Sequence, residues 1–217
     1  SLKKFISSNI KHLYFSVETA AISELVAVQE NKKSIHPFCP NPMEYISEFH
    51  IKDTIKDHDI FIDNLKKEIG AHEFYDGFAP NYGKSQINGE QTTGNIFTRE
   101  GQLLNKLKMF FINSINDYKE QYKSSENLIF KNFPKDINLW GWSTKFDKGS
   151  GHHFSHIHPQ GWVSGSFYLN VPNDIESHEA NIQFDVQGHL PIFNKETKIE
   201  KKNIIPEVGK LIIFPSS

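Results

Sequence analysis

Four of the eleven histidines crowd into GSGHHFSHIHPQG, Gly149 to Gly161. His156 and His158 are spaced i, i+2. On a strand that spacing presents two imidazoles on one face, with Ile157 pointing away. Neutral imidazole suits Fe, Zn, Cu or Ni, so the pair is predicted to be a bidentate metal grip. His152 and His153 are expected in a solvent-exposed loop. His178 and His189 fall in a polar connection after Pro172 and are assigned no chemistry. His36 and Cys39 could pair as ligands, but no second pair stands at zinc spacing, so ordinary packing is the expectation for both.

The elements that must position these histidines follow from periodicity. From Ser7 to about Glu30 apolar residues recur every three or four positions, which predicts an amphipathic helix or two short ones. SIHPFCPNPM, residues 34–43, holds three prolines and reads as a linker or extended edge. Asp59 to Ile69 reads as a helix with Asp59 capping it, Phe61, Leu65 and Ile69 on one side and Gly70 at its end. The Gly- and Asn-rich stretch to Asn95, carrying GEQTTGN, is expected to be a long loop. Gly101 to Tyr122 reads as a helix with Leu104, Leu107, Phe111, Ile115 and Tyr118 on one stripe. After Pro134 the texture changes. INLWGWSTKF, WVSGSFYLNV, ANIQFDV and KLIIFPS are short, β-branched and aromatic segments separated by Gly, Pro and Asn, the pattern of antiparallel strands. Helices first and strands second predicts an α+β fold.

HIHPQGWVSGSFYLNVP, followed by NIQFDV and PEVGKLIIFPSS, resembles the core of the 2-oxoglutarate and Fe(II)-dependent oxygenases. It is most similar to a bacterial and phage branch related to prolyl hydroxylases. GEQTTGNIF before a long helix supports the likeness, which spans roughly Asp59 to Ser217. The resemblance implies a double-stranded β-helix (a cupin-like jelly roll) with N-terminal helices packed on one sheet. It also implies Fe(II) in a facial triad and 2-oxoglutarate as co-substrate. His156 matches the first histidine of the family's His-X-Asp/Glu motif, and His158 stands at the carboxylate position. Asp185 is the nearest alternative carboxylate, or else a strand-end residue. Tyr168 matches a co-substrate-contacting tyrosine, or is a core tyrosine. Trp140, Trp142 and Trp162 are expected to pack the sandwich or rim the pocket. In the family a distal metal histidine and an arginine clamp follow the segment resembling GKLIIFPSS. The single arginine here, Arg99, stands beside the long helix instead. The domain expectation is therefore a helical appendage and Pro-rich linker over 1–45, then an oxygenase-like domain over 46–217 that is incomplete at its C-terminal end.

Composition narrows the partners. The formal net charge of −2 leaves no global field to recruit nucleic acid or an anionic membrane, so neither is expected. One cysteine, Cys39, cannot form an internal disulfide, and no charged-apolar-small leader opens the sequence. A cytoplasmic enzyme acting on a small molecule or peptide with O₂ is the leading expectation. A catalytically silent jelly-roll binding module is the alternative. A zinc hydrolase of the His-X-His-X-Asp-His type is disfavoured because Gln160 and Gly161 occupy its last two positions.

Overall fold

A computed structural model describes residues 15–76, 86–146, 151–172, 180–188 and 196–217. His178, His189 and the first part of the expected N-terminal helix lie outside the described residues. Helix α1 (Val17–Gln29) begins at Ser16, whose hydroxyl accepts the Thr19 N–H at 3.1 Å, an N-cap that satisfies one orphan donor. Helices α2 (His58–Gly70), α3 (Gln102–Gln121) and the single turn α4 (Leu128–Lys131) follow. Asp59 sits inside α2. Asp57 occupies the cap position, without a side-chain bond.

The strands are β1 (Ser47–His50), β2 (Phe74–Asp76), β3 (Gln86–Ile87), β4 (Gly89–Thr92) and β5 (Thr144–Phe146). β6 (His152–His153), β7 (Val163–Phe167), β8 (Ile182–Phe184), β9 (Lys202–Ile204) and β10 (Lys210–Pro215) complete the set. All pairings among the described residues are antiparallel, in sheets ordered β1-β10-β7, β2-β4-β5, β3-β6 and β8-β9. The fold is therefore α+β with antiparallel sheets. No helix among the described residues is long and apolar enough to cross a membrane.

Two expectations change. The stretch read as a long loop before Asn95 contributes β2, β3 and β4, because Gln and Thr at its pairing positions join a ladder as readily as they join a loop. INLWGWSTKF pairs only over Thr144–Phe146. Its upstream part is tied instead by Asn95, whose Oδ1 accepts the N–H groups of Phe97 and Gly141 while Nδ2 donates to the Leu139 carbonyl. The asparagine of GEQTTGN thus joins the approach to α3 to the approach to β5.

The core lies between the helices and one face of the β1-β10-β7 sheet. It gathers Phe61, Ile62, Leu65 and Ile69 of α2, Leu104, Leu107, Phe110 and Tyr118 of α3, Ile129 and Phe130 of α4, and Leu211 and Ile213 of β10. The buried stripe of α3 runs through Phe110 and Ser114, and the expected Phe111 and Ile115 flank it half-buried. Two adjoining stripes share this helix face because the core wraps more than one line of contacts. Val17 and Ala20 of α1 and the buried Phe38 and Cys39 join the same cluster. His36 is also buried, its Nδ1 accepting the Phe38 N–H at 3.3 Å, so the proline-rich segment is packed structure.

β10 is central and covered on both faces, which is why KLIIF reads as a continuous apolar run. Leu211 and Ile213 face the helices. Ile212, fully buried, and Phe214 face the other way, where Phe214 meets Phe184 of β8 at 4.8 Å between ring centres. The strand starts at Gly209, with φ of +84°, whose N–H donates to the Tyr168 carbonyl and whose own carbonyl accepts the Ile51 N–H. A Cβ there would lie 2.8 Å from Ile51 Cγ2 and 3.0 Å from His50 Cε1. A left-handed residue with a side chain and an overpacked contact each carry a cost, so Gly209→Ala is expected to lose about 2–4 kcal/mol of stability. Urea denaturation checks this, and a loss below about 1 kcal/mol would mean that the turn relaxes.

Candidate metal centre

His156 and His158 lie in the irregular segment between β6 and β7, and the expectation that they stand on a strand is not met. Among the described residues no partner strand pairs with them. The alternation survives nonetheless: Ile157 packs against the core with Trp162, and the two imidazoles meet on the opposite side with their Nε2 atoms 2.9 Å apart. Packing of the half-buried middle residue against the core does what a ladder was expected to do.

The segment is held by a turn that the sequence spells out. In His158-Pro159-Gln160-Gly161 the Gly161 N–H donates to the His158 carbonyl at 2.9 Å. Proline second and glycine fourth are the residues a type I turn favours. Beyond the turn, Trp162 anchors the entry to β7, its indole N–H donating to the Ile129 carbonyl at 2.8 Å and its ring edge-on to Phe38. Trp142 lies 6.2 Å from the His158 ring and, like Trp140, is exposed. Trp162 therefore packs against the core, while Trp140 and Trp142 are exposed.

β10 delivers its C-terminal end to this site. It pairs with β7, and past the pairing the Ser216 carbonyl accepts the His158 N–H at 3.2 Å. The strand paired with β10 on this side is β7, which follows the histidines, and the end of β10 arrives beside His158.

Each imidazole is fixed at its far nitrogen. His156 Nδ1 is 2.6 Å from the Phe154 carbonyl, an acceptor, so Nδ1 carries the proton and Nε2 is a lone pair. His158 Nδ1 is 2.7 Å from Ser164 Oγ, which is 2.7 Å from Ser216 Oγ. Two nitrogens each about 2.0–2.1 Å from one ion, at right angles, would be about 2.9 Å apart. The observed separation fits two adjacent positions of an octahedral ion. Among the described residues no third His, Cys, Asp or Glu completes such a cluster.

The other site candidates fall as follows. Asp185 caps the turn after β8, its Oδ1 accepting the N–H groups of Gln187 and Gly188 at 3.0 and 2.9 Å. That is the strand-end reading of this residue. Tyr168 continues the β7 ladder through its N–H to the Lys210 carbonyl, and alternation puts it on the sheet face shared by Ser164 and Ser166. His152 and His153 form β6 against β3 rather than a loop, although both are exposed. The His153 ring lies 5.7 Å from that of His156. Arg99 is exposed and donates to the Thr93 carbonyl. Neither Ser164 nor Ser216 stands out in the sequence as a partner of the site. The His-Pro-Gln-Gly turn was a usable signal for the first histidine-to-strand reversal, but nothing local marks Ser216.

Residues 140–217, which hold β5 to β10 and both histidines, match the family model described as "Putative 2OG-Fe(II) oxygenase". The match covers 78 of the 217 residues and makes this stretch similar to that family. No curated protein and no solved structure matches the chain. Within the matched stretch, the histidines at 156 and 158 and the buried strand β10 come together in space.

Burial is the chief cause that pushes the His158 imidazole down from 6.5 to about 4, with the neighbouring His156 and His153 adding to it. In the unfolded chain the same group takes up a proton at ordinary values. Between about pH 6.5 and pH 4 the unfolded state then binds more protons, so stability is full above that window and falls as pH falls through it. Urea midpoints measured across the window should decline with pH. His158→Asn should flatten part of that slope, and an unchanged slope would place the titration elsewhere.

Proposed function

We propose that the protein is a non-haem Fe(II), 2-oxoglutarate-dependent dioxygenase that hydroxylates an amino-acid, peptide or small-molecule substrate. Its antiparallel sheets form the core of a double-stranded β-helix, within a domain spanning 46–217 that works in the cytoplasm without nucleic acid or membrane. The observation that carries the reading is the pair of imidazole Nε2 atoms, 2.9 Å apart, inside the segment that matches the oxygenase family.

His156 and His158 are the residues that hold iron in this reading. Iron, when bound, supplies the O₂ activation that couples decarboxylation of 2-oxoglutarate to hydroxylation of a substrate C–H bond. The chain does the rest. The Phe154 carbonyl orients His156, and Ser164 orients His158. Burial holds the Tyr168 hydroxyl neutral, with its pKa pushed up to about 12, so it can donate to a carboxylate of 2-oxoglutarate. Exposed Trp142 and Phe154, in ring contact with His158 and His152, offer apolar surface to a substrate at the mouth.

A second reading, a jelly-roll module that binds metal or ligand without turnover, is favoured by the absence of a third ligand among the described residues. One experiment separates the two. Anaerobic metal analysis is expected to find Fe(II) or Mn(II) on the wild type, none on the His156→Ala, His158→Ala double variant, and retained metal on His158→Asp, where a carboxylate replaces the imidazole. Undiminished metal in the double variant overturns the assignment. Succinate released from 2-oxoglutarate by the metal-loaded protein supports the dioxygenase, and metal uptake without succinate supports the module.

A further inference from the structure

The two imidazoles are anchored by chemically different groups. His156 Nδ1 faces a backbone carbonyl, which only accepts. His158 Nδ1 faces the Ser164 hydroxyl, which donates or accepts and is itself 2.7 Å from a second hydroxyl, Ser216. That difference decides which proton arrangements each ring can adopt.

Without a metal, the two Nε2 atoms at 2.9 Å need one proton between them. His156 already carries its proton on Nδ1, so the bridging proton of a neutral pair belongs to His158 Nε2. His158 Nδ1 is then bare, and Ser164 must donate to it while accepting from Ser216. With a cation between the rings, both Nε2 atoms must be lone pairs. His158 then carries its proton on Nδ1 and donates to Ser164, whose hydroxyl turns toward Ser216. One proton leaves Nε2 for water and one is gained at Nδ1, so the count on the ring is unchanged. Only two hydroxyl rotors reorient.

We infer that Ser164 and Ser216 are positioning residues that let His158 exchange its tautomer when metal enters, while the Phe154 carbonyl keeps His156 in one tautomer throughout. This rests on the metal-site reading proposed above. Two packing features support it. Ser164 and Ser216 are brought together by the pairing of β7 with β10, and Ser216 is almost wholly buried. At Gly161, a Cβ would lie 2.7 Å from Ser216 Oγ, so the absence of a side chain there keeps the hydroxyl in place. An acceptor-only or apolar group in place of Ser164 would permit at most one of the two tautomers.

The test uses the full chain and long-range ¹H–¹⁵N correlation spectra of the histidine rings, first metal-free and then with Zn(II), above the imidazole titration range. The expected result is His156 protonated at Nδ1 in both states, with His158 changing from Nε2–H to Nδ1–H. Co(II) titration followed by absorption is the second arm. Loss of a hydrogen bond to a metal-ligating histidine typically costs 10–100-fold in affinity, and about that loss is expected for Ser164→Ala. Ser164→Thr, which restores the hydroxyl, should recover most of it, and Ser216→Ala should fall between. Urea midpoints report whether each variant is folded, and the metal-free spectrum of Ser164→Thr stands in if Ser164→Ala is not. His158 protonated at Nδ1 without metal, or Co(II) affinity insensitive to Ser164→Ala, overturns the positioning role while leaving the metal site intact. A wild-type chain that takes up neither Zn(II) nor Co(II) overturns the metal reading and this inference with it.

Discussion

Burial of β10 on both faces is the constraint on which the rest of the molecule depends. Leu211 and Ile213 join the helical core, and Ile212 and Phe214 close the opposite side. A strand covered twice cannot slip by one residue without trading its two faces, so its register with β1 and β7 is tightly specified. That register carries Ser216 to Ser164 and puts the Ser216 carbonyl on the His158 N–H. The position of the candidate ligands is therefore set by hydrophobic packing a few residues away.

The start of the same strand shows the same economy. Gly209 makes the turn into β10 and binds both flanking segments, to Tyr168 on one side and Ile51 on the other. Lys210, buried at the start of the central strand, is neutralised by Glu48 and Glu207 at 2.9 and 2.7 Å, which keeps its charge tolerable there. Backbone geometry, charge pairing and apolar burial all favour one placement of β10. Agreement of that kind gives a fold a single well-defined state.

Around the histidines the stabilising interactions are polar and short in range. A carbonyl, a hydroxyl pair and a four-residue turn orient two rings that are themselves one exposed and one half-buried. Burial keeps His158 neutral, and neutrality is what a metal ligand of this type requires. The aromatic side chains divide accordingly, with Trp162 packed against the core and Trp142 exposed beside the His158 ring.

Much of this could be read from the amino-acid sequence. Helices α2 and α3 and strands β7, β8 and β10 fall where apolar periodicity puts them, because each buries one repeated pattern of side chains. The adjacency of His156 and His158 was legible as well, since two residues flanking an isoleucine that packs against the core share a face whether or not a ladder forms. Short strands such as β3 and β6 were not legible: two residues carry too little pattern, and only the partner strand defines them. The role of Asp185 in capping its own turn was one of two local alternatives, and its Oδ1 accepts the N–H groups of Gln187 and Gly188. Ser216 lies 58 residues beyond His158 and has no local signal. Its place beside Ser164 follows from the pairing of β7 with β10, a long-range contact that residue types alone do not specify and that exists only once the sheet has formed.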